Sequence, residues 1–482
     1  MTNSHFFHKQ DLEKILDSCI DKTLGEVDVN NVFDKTKNKK KITGIAGDVI
    51  EQSVLGYPAD NRQEPDLDID GVKTELKTTG LKYKNNTKEY VAKEPMSITA
   101  VSPEKIVTET FDESNFWHKL ADMLFVYYLY DSPTTVKASK YANFPIVGYD
   151  FHRFDEEDKE ILKNDWTIVR DFIKDLQENY EDYENEYPRI SYELRPKLMY
   201  IDTAPKWPNR PRFRLKRTFV SSIAQEHLKK KLEQLPKKYT NYASINETCR
   251  DFSERYGQKT IEELSELFEI KEKRINKSIG EKIIIKMFGG KSKQMQKIEL
   301  FKKTGIIGKT ITLTKEGKRT EDMKLFNIDF NEIKNENIEF EDTQFYDYFT
   351  KNHLCIIFEE PNTEAPLKEN VFLGFKWATF DESFIQNDVR IVWEDIRDKI
   401  INNKLKEEPI LKKDGNPRIN KLGNIMTSLN FPKSSEGNVF VRGSGRDSNS
   451  KPLTINGIAM YHQYIWIKGT HIANKLNNIE FI

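Results

Sequence analysis

Apolar residues recur at helical spacing over Asp11 to Ile20, where Leu12, Ile15, Leu16 and Cys19 share a stripe, and this predicts a first helix. A second is predicted from Gly44 to Leu55, stopped by Gly56, with Gly44, Gly47 and Glu51 on one face. Between Pro65 and Lys77 the pattern becomes that of a β-hairpin turning at Asp70-Gly71, the residue pair that best tolerates two successive positive φ angles. Ser97 to Ser102 alternates like a strand, and Met123 to Tyr130 is an unbroken apolar and aromatic run, read as a buried central strand. A long amphipathic helix is predicted over Asp155 to Glu178, with Leu162, Trp166, Val169, Ile173 and Leu176 inward. Ile190 to Lys197 and Phe213 to Phe219 read as two further strands. Residues 229–275 are rich in Lys and Glu, include the triplet Lys229-Lys230-Lys231 and hold a capping box, Thr260 with Glu263; they read as a helical linker.

The second half echoes the first in the same order. Gly280 to Ile284 parallels Gly47 to Glu51. Phe340 to Phe345, ahead of apolar Leu354 to Phe358, parallels Phe111 to Phe116 ahead of Met123 to Tyr130. Ile391 to Ile401 parallels the amphipathic helix, Phe440 to Gly443 parallels Glu193 to Pro196, and Trp466 to Lys468 parallels Arg214 to Lys216. Repetition in this order points to a duplication. The expected fold is α/β, with two similar domains, 1–228 and 276–482, each a mixed sheet flanked by helices and joined by the linker 229–275. Ile284 replaces Glu51 in the second copy, and Gly305 to Leu313 has no Glu-x-Lys, so the second copy is expected to lack an active site.

The 482 residues are too many for one ordinary core. Net charge is -1 despite 32% charged residues, so any nucleic-acid surface must come from segregated charge. Cys19, Cys249 and Cys355 are far apart and suggest neither a disulfide framework nor a zinc site. No run of ~18 apolar residues and no apolar leader is present, so a soluble, cytoplasmic protein without membrane association is expected.

The hairpin carries the chemistry. With the turn at Asp70-Gly71, residues whose numbers sum to 141 face each other, so Asp66 lies opposite Glu75. Lys77 shares their face. Opposed carboxylates cost stability unless a cation bridges them, and a hard divalent ion beside a lysine is what phosphodiester cleavage needs. Asp68 is the rival ligand, although this register pairs it with Lys73. A basic strip, Lys206, Arg210, Arg212, Arg214, Lys216 and Arg217 with Trp207 and Phe213, contains no acid and suits phosphates. Arg195 and Lys197 flank Pro196 and have the donors to read guanine.

At these residues the sequence resembles the MutH family of endonucleases, which includes a mismatch-repair nicking enzyme and type II restriction enzymes that cut at GATC. Thr23-Leu24-Gly25-Glu26 resembles the family's early helix-loop signature, and Gly47 to Gly56 its helix bearing an acid, matched by Glu51. Asp66, Glu75 and Lys77 match its active-site Asp and Glu-x-Lys, and Phe116 to Leu120 the segment whose active-site lysine is matched by Lys119. Asp155 to Ile173, with Asp165-Trp166, resembles its long helix; Leu194 to Lys197 its recognition loop; Phe213 to Lys216 the strand that follows. The resemblance implies Mg²⁺-dependent cleavage of double-stranded DNA at GATC leaving 5′-phosphates. It implies metal at Asp66 and Glu75 with Glu51, catalysis by Lys77 and Lys119, and DNA contacts from Arg195, Lys197, Arg212, Arg214 and Lys216. The two-copy plan resembles the restriction enzymes, in which a second half binds another DNA site, and implies a methyltransferase as genetic partner. A nicking repair enzyme and a non-catalytic DNA-binding regulator are the alternatives. Two departures stand out. The Asp66–Glu75 interval is two residues longer than the family's, where Asp68 sits at the usual distance. Arg214 replaces a tyrosine associated with methylation sensing.

Overall fold

A computed structural model describes residues 5–38, 44–58, 64–84, 89–132, 136–204, 210–228, 232–272, 275–276, 278–319, 321–336, 338–362, 364–412, 414–420, 423, 425–445 and 451–482. The triplet 229–231, Lys206 and Trp207 lie outside them. Two compact units emerge: one holds the chain up to Ser132, Val136–Thr248 and Ile284–Ile307; the other holds Cys249–Ile283 and Gly308–Ile482. Both are α/β.

In the first unit, strands β1 (Phe6–Phe7), β2 (Leu67–Ile69), β3 (Val72–Lys84), β6 (Met123–Leu129) and β7 (Ile146–His152) form a mixed sheet in the order β1-β2-β3-β6-β7, with β4 (Glu89–Ala92) also on β3. β6 is central: it runs parallel to β3, Glu75 opposite Met123 and Lys77 opposite Phe125, and antiparallel to β7. Its continuous burial is the reason its sequence does not alternate. Leu76, Leu124 and Val126 point to one face, where they pack with Ile45, Ala46, Val49 and Ile50 of the second helix. Phe125 and Tyr127 alternate to the other face, where Tyr127 meets His227 at the end of the helix Arg217–His227. A small sheet, β5 (Met96–Ala100), β9 (Arg212–Leu215) and β8 (Ile201–Asp202), has β9 in the middle. The long helix Glu156–Asn179 is capped by Asp155 and buries the five apolar residues read from its periodicity.

Two predicted strands differ. Ile190 to Lys197 contains instead a helical turn, Arg189–Tyr192. Arg189 bonds Glu193 at 2.6 Å and Glu186 at 3.0 Å, the i+4 and i−3 neighbours that only a helix brings together. Phe213 to Phe219 is strand only to Leu215; from Arg217 the chain is helical, with Phe219, Val220, Ile223 and Ala224 buried at helical spacing.

The second unit repeats this order. Strands β10 (Ile307–Leu313), β12 (His353–Glu359) and β13 (Val371–Ala378) form one sheet with β12 central, as β3-β6-β7 do. Strands β11 (Met323–Asn327), β19 (His462–Ile467) and β16 (Val439–Ser444) form another with β19 central, as β5-β9-β8 do. Two small hairpins, β14 (Glu407–Pro409) with β15 (Thr427–Leu429) and β17 (Leu453–Ile455) with β18 (Ile458–Met460), are additions. One lysine links β9 to its following helix (Lys216), and one links β19 to Gly469–Asn477 (Lys468). The parallel between Phe440–Gly443 and Glu193–Pro196 is not structural, because the former lies in β16 and the latter follows a helical turn. Among the described residues no helix is long and apolar enough to cross a membrane.

Candidate active site

The hairpin forms in the register set by its turn. Asp70 and Gly71 take φ of 51° and 87°, and Leu67, Asp68 and Ile69 pair with Thr74, Lys73 and Val72. Asp68 is occupied there: it bonds Lys73 at 3.2 Å and accepts the Gly71 N–H at 2.9 Å, bracing the turn. The Asp70 carboxylate accepts from the His8 ring at 2.7 Å and the Lys9 N–H at 2.9 Å, which fastens the hairpin to the start of the first helix. Asp66, one residue before β2, accepts the Leu76 N–H at 2.9 Å. Asp66 is thereby held against Glu75 while Asp68 serves the turn.

Glu75 is 1% exposed, so its charge needs partners. Lys77 bonds one of its oxygens, and Lys119 bonds both, at 3.0 and 2.9 Å. Lys119 arrives from 44 residues away because Ser114 caps the helix Asn115–Leu120, accepting the Trp117 N–H at 3.1 Å. That helix leads into β6, whose first residue, Met123, lies opposite Glu75. Burial pushes the Asp66 carboxyl above its ordinary value; the Glu75 charge adds to this, and Lys77 and Lys119 oppose it. The cluster thus contains two acids and two ammonium groups, with Asp66 the less compensated acid.

The donor set fits a hard divalent cation. Among the described residues no three His, Cys, Asp or Glu side chains gather as a metal cage. Two carboxylates suit an ion such as Mg²⁺, which keeps several waters and takes the rest of its ligands from substrate phosphate. An added positive charge would also relieve Asp66.

Glu51 sits in a π-helical turn, Ile50–Val54, that continues the helix Ile45–Val49. Gly47, one turn earlier, lies near both Thr78 and Glu51: a Cβ there would make ordinary contacts, 3.5 Å to Thr78 Oγ1 and 4.0 Å to Glu51 Oε1.

The basic candidates divide. Lys197 and Arg212 are exposed. Arg195 lies in the turn after Arg189–Tyr192, and the Lys197 ammonium lies 5.8 Å from the Phe172 ring centre. Arg214 grips Asp202 through two bonds of 2.7 and 3.2 Å, and Lys216 donates to the Leu198 carbonyl. Asp165, fully buried, accepts the N–H groups of Met199, Tyr200 and Ile201 at 2.8, 2.7 and 3.1 Å. Burial pushes its carboxyl up to about 6 against those bonds and the nearby Lys216 charge. Asp165, Asp202 and Lys216 thus fix the segment that follows Arg195 and Lys197. Nothing in residue spacing marked Asp165 or Asp202, because their partners are backbone groups and a side chain on other elements.

Residues 55–165 match the family model described as "DNA mismatch repair enzyme MutH", a span that includes Asp66, Glu75, Lys77 and Lys119. The chain is also 27% identical over 384 residues, 75% of each protein, to the "Type II restriction enzyme Sau3AI" of Staphylococcus aureus. The segment that holds Asp66, Glu75, Lys77 and Lys119 is thus similar to the MutH family, within a longer similarity to a type II restriction enzyme.

Proposed function

We propose that this protein is a type II restriction endonuclease that hydrolyses double-stranded DNA at GATC in a Mg²⁺-dependent reaction. The observation that carries the reading is buried Glu75 beside half-buried Asp66, with two lysines on the Glu75 carboxylate, inside the segment that matches MutH. Asp66 and Glu75 would hold the ion, with Glu51 as a further ligand or water-orienting group. When bound, the ion supplies charge neutralisation at the phosphate and a more acidic water. Lys77 orients the attacking water and Lys119 fixes the Glu75 carboxylate; their ammonium groups also offset the charge that grows on the phosphate oxygens. In-line attack on phosphorus breaks the bond to the 3′ oxygen, which takes a proton and leaves a 5′-phosphate.

Arg195, Lys197 and Arg212 would contact DNA directly. Arg214 and Lys216 lie near it while holding β8 and the segment before it. The second unit would bind another DNA site without cutting it. A cytoplasmic location and a methyltransferase encoded alongside complete the reading. Incubating the protein with plasmid and Mg²⁺ and sequencing the ends tests it. Double-strand ends at GATC support restriction, nicks support the repair-type alternative, and intact plasmid supports the regulator.

A further inference from the structure

The second unit keeps part of the catalytic geometry with altered chemistry. In the first unit Gly47 faces Thr78; in the second, a Cβ on Gly280 would overlap Thr310 Oγ1, so Thr310 stands where Thr78 does. Lys309 precedes Thr310 as Lys77 precedes Thr78, which puts Ile307 in the place of Glu75. The capped helices set the third position. Ser114 donates to the Phe111 carbonyl at 2.6 Å and accepts the Trp117 N–H at 3.1 Å; Thr343 donates to Phe340 at 2.6 Å and accepts the Tyr346 N–H at 3.2 Å. Lys119 lies five residues after its cap, and so does Tyr348. The Lys309 ammonium and the Tyr348 ring come together, 5.8 Å apart, much as Lys77 and Lys119 meet at Glu75.

Their surroundings favour an anion. Among the described residues Lys309 has no acid within ion-pair distance, and its hydrogen bond to the Lys324 carbonyl is long, 3.4 Å. Burial pulls its ammonium below the ordinary lysine range, opposed only by Cys355 and Glu281. The Tyr348 hydroxyl is buried with no hydrogen-bond partner among the described residues. Among the described residues Asp66 has no counterpart either, because the β10-β12-β13 sheet includes no hairpin strand equivalent to β2.

We infer that Lys309 and Tyr348 form a metal-independent contact to a phosphodiester of duplex DNA, at the position corresponding to the Glu75 cluster of the first unit. The inference rests on the reading that the second unit binds DNA. Replacing Glu75 by Ile307 removes the charge that repels a phosphate and recruits a metal. The remaining ammonium then pairs with the phosphate directly. Without a cation to activate water, DNA held there is bound and not cut.

The test uses the full chain carrying Glu75→Gln, titrated with a short GATC duplex in EDTA. Two duplexes per chain are expected. Adding Lys309→Ala should weaken the second binding event roughly tenfold. It should also reduce the magnitude of that event's log K against log salt slope by about 0.9, one phosphate contact. Lys309→Arg should restore most of both, and Tyr348→Phe, which removes only a hydroxyl, should weaken the second event by a smaller factor. Two duplexes bound with unchanged affinity and salt slope in Lys309→Ala would overturn this inference and leave the second-site reading standing. A single duplex per chain before Lys309 is altered would overturn both. If Lys309→Ala unfolds, equal second-site binding by Tyr348→Phe and the parent counts against the site.

Discussion

Replacing Lys303 by methionine should destabilise the first unit, although Lys303 lies far along the chain from the hairpin. It is 4% exposed and bonds both oxygens of Asp158 at 3.1 Å, Glu299 at 2.6 Å and Glu226 at 3.9 Å. Asp158 is 6% exposed in the first turn of the long helix. Methionine keeps the volume and removes the ammonium that pairs with Asp158, Glu299 and Glu226, so the Asp158 charge stays buried without its ion-pair partner, bonded still by the Tyr200 hydroxyl. That costs about 3–5 kcal/mol. The pH dependence has a definite sign. Lys303 is held above its ordinary value by Asp158, Glu299 and Glu226, against burial, so its contribution persists through neutral pH and is lost only at pH above the ordinary lysine range. In the variant the Asp158 carboxyl, already raised by burial with Lys303 opposing, rises further. The deficit should therefore shrink as pH falls towards the carboxylate range. Hydrogen exchange of the helix Glu156–Asn179 across a urea series measures the unit's stability, and a cycle with Asp158→Asn isolates the pair. A loss below about 1 kcal/mol at pH 7.5 would refute the reasoning, since that is the cost of an exposed pair. The same geometry makes a fragment ending near residue 235 less stable than the unit in the intact chain, because it lacks Lys303 and buried Ile298 and Phe301.

Glu75→Gln should raise the Mg²⁺ concentration needed for cleavage, and an unchanged metal titration would contradict its role as ligand. Lys119→Met should lower the cleavage rate at saturating DNA with little effect on DNA affinity, because Lys119 bonds Glu75 inside the cluster; a change in affinity alone would contradict this. Asp165→Asn should loosen the segment around residues 199–201, seen as faster hydrogen exchange there. The Asp165 carboxyl, at about 6, lies above its unfolded value near 3.8, so its contribution favours the fold at low pH and fades as pH rises between these values. The Asn variant should lack that slope, and an identical pH profile would count against the assignment.

Much of the first unit is legible in local sequence features. The hairpin register follows from Asp70-Gly71 alone, since a two-residue turn fixes every pair that follows. The buried strand β6 and the long helix were legible because their burial patterns repeat over many residues. Ile190 and Tyr192 favour strands by propensity, but Arg189 with Glu186 and Glu193, and Leu194 four residues before Leu198, carry helical and turn spacing that outweighed them. The end of the Phe213 to Phe219 reading differs for the same reason, because a short buried amphipathic helix resembles an apolar strand in composition. Lys119 was marked only by family resemblance, since its meeting with Glu75 depends on how β3 and β6 pair. The Asp158–Lys303 pair spans 145 residues and lies beyond any pattern in spacing. The duplication was visible in order, and the matching caps at Ser114 and Thr343 give it a structural basis.

The central claim is that the hairpin cluster cuts DNA. Its most direct test is the linearisation rate of a plasmid with a single GATC-containing duplex site, with Mg²⁺ present and protein in excess, for the parent protein and Lys77→Ala, alongside DNA binding by both in Ca²⁺. The account predicts that Lys77→Ala binds the duplex as the parent does and loses cleavage by at least about a hundredfold. Cleavage by Lys77→Ala at the parent's rate would contradict it.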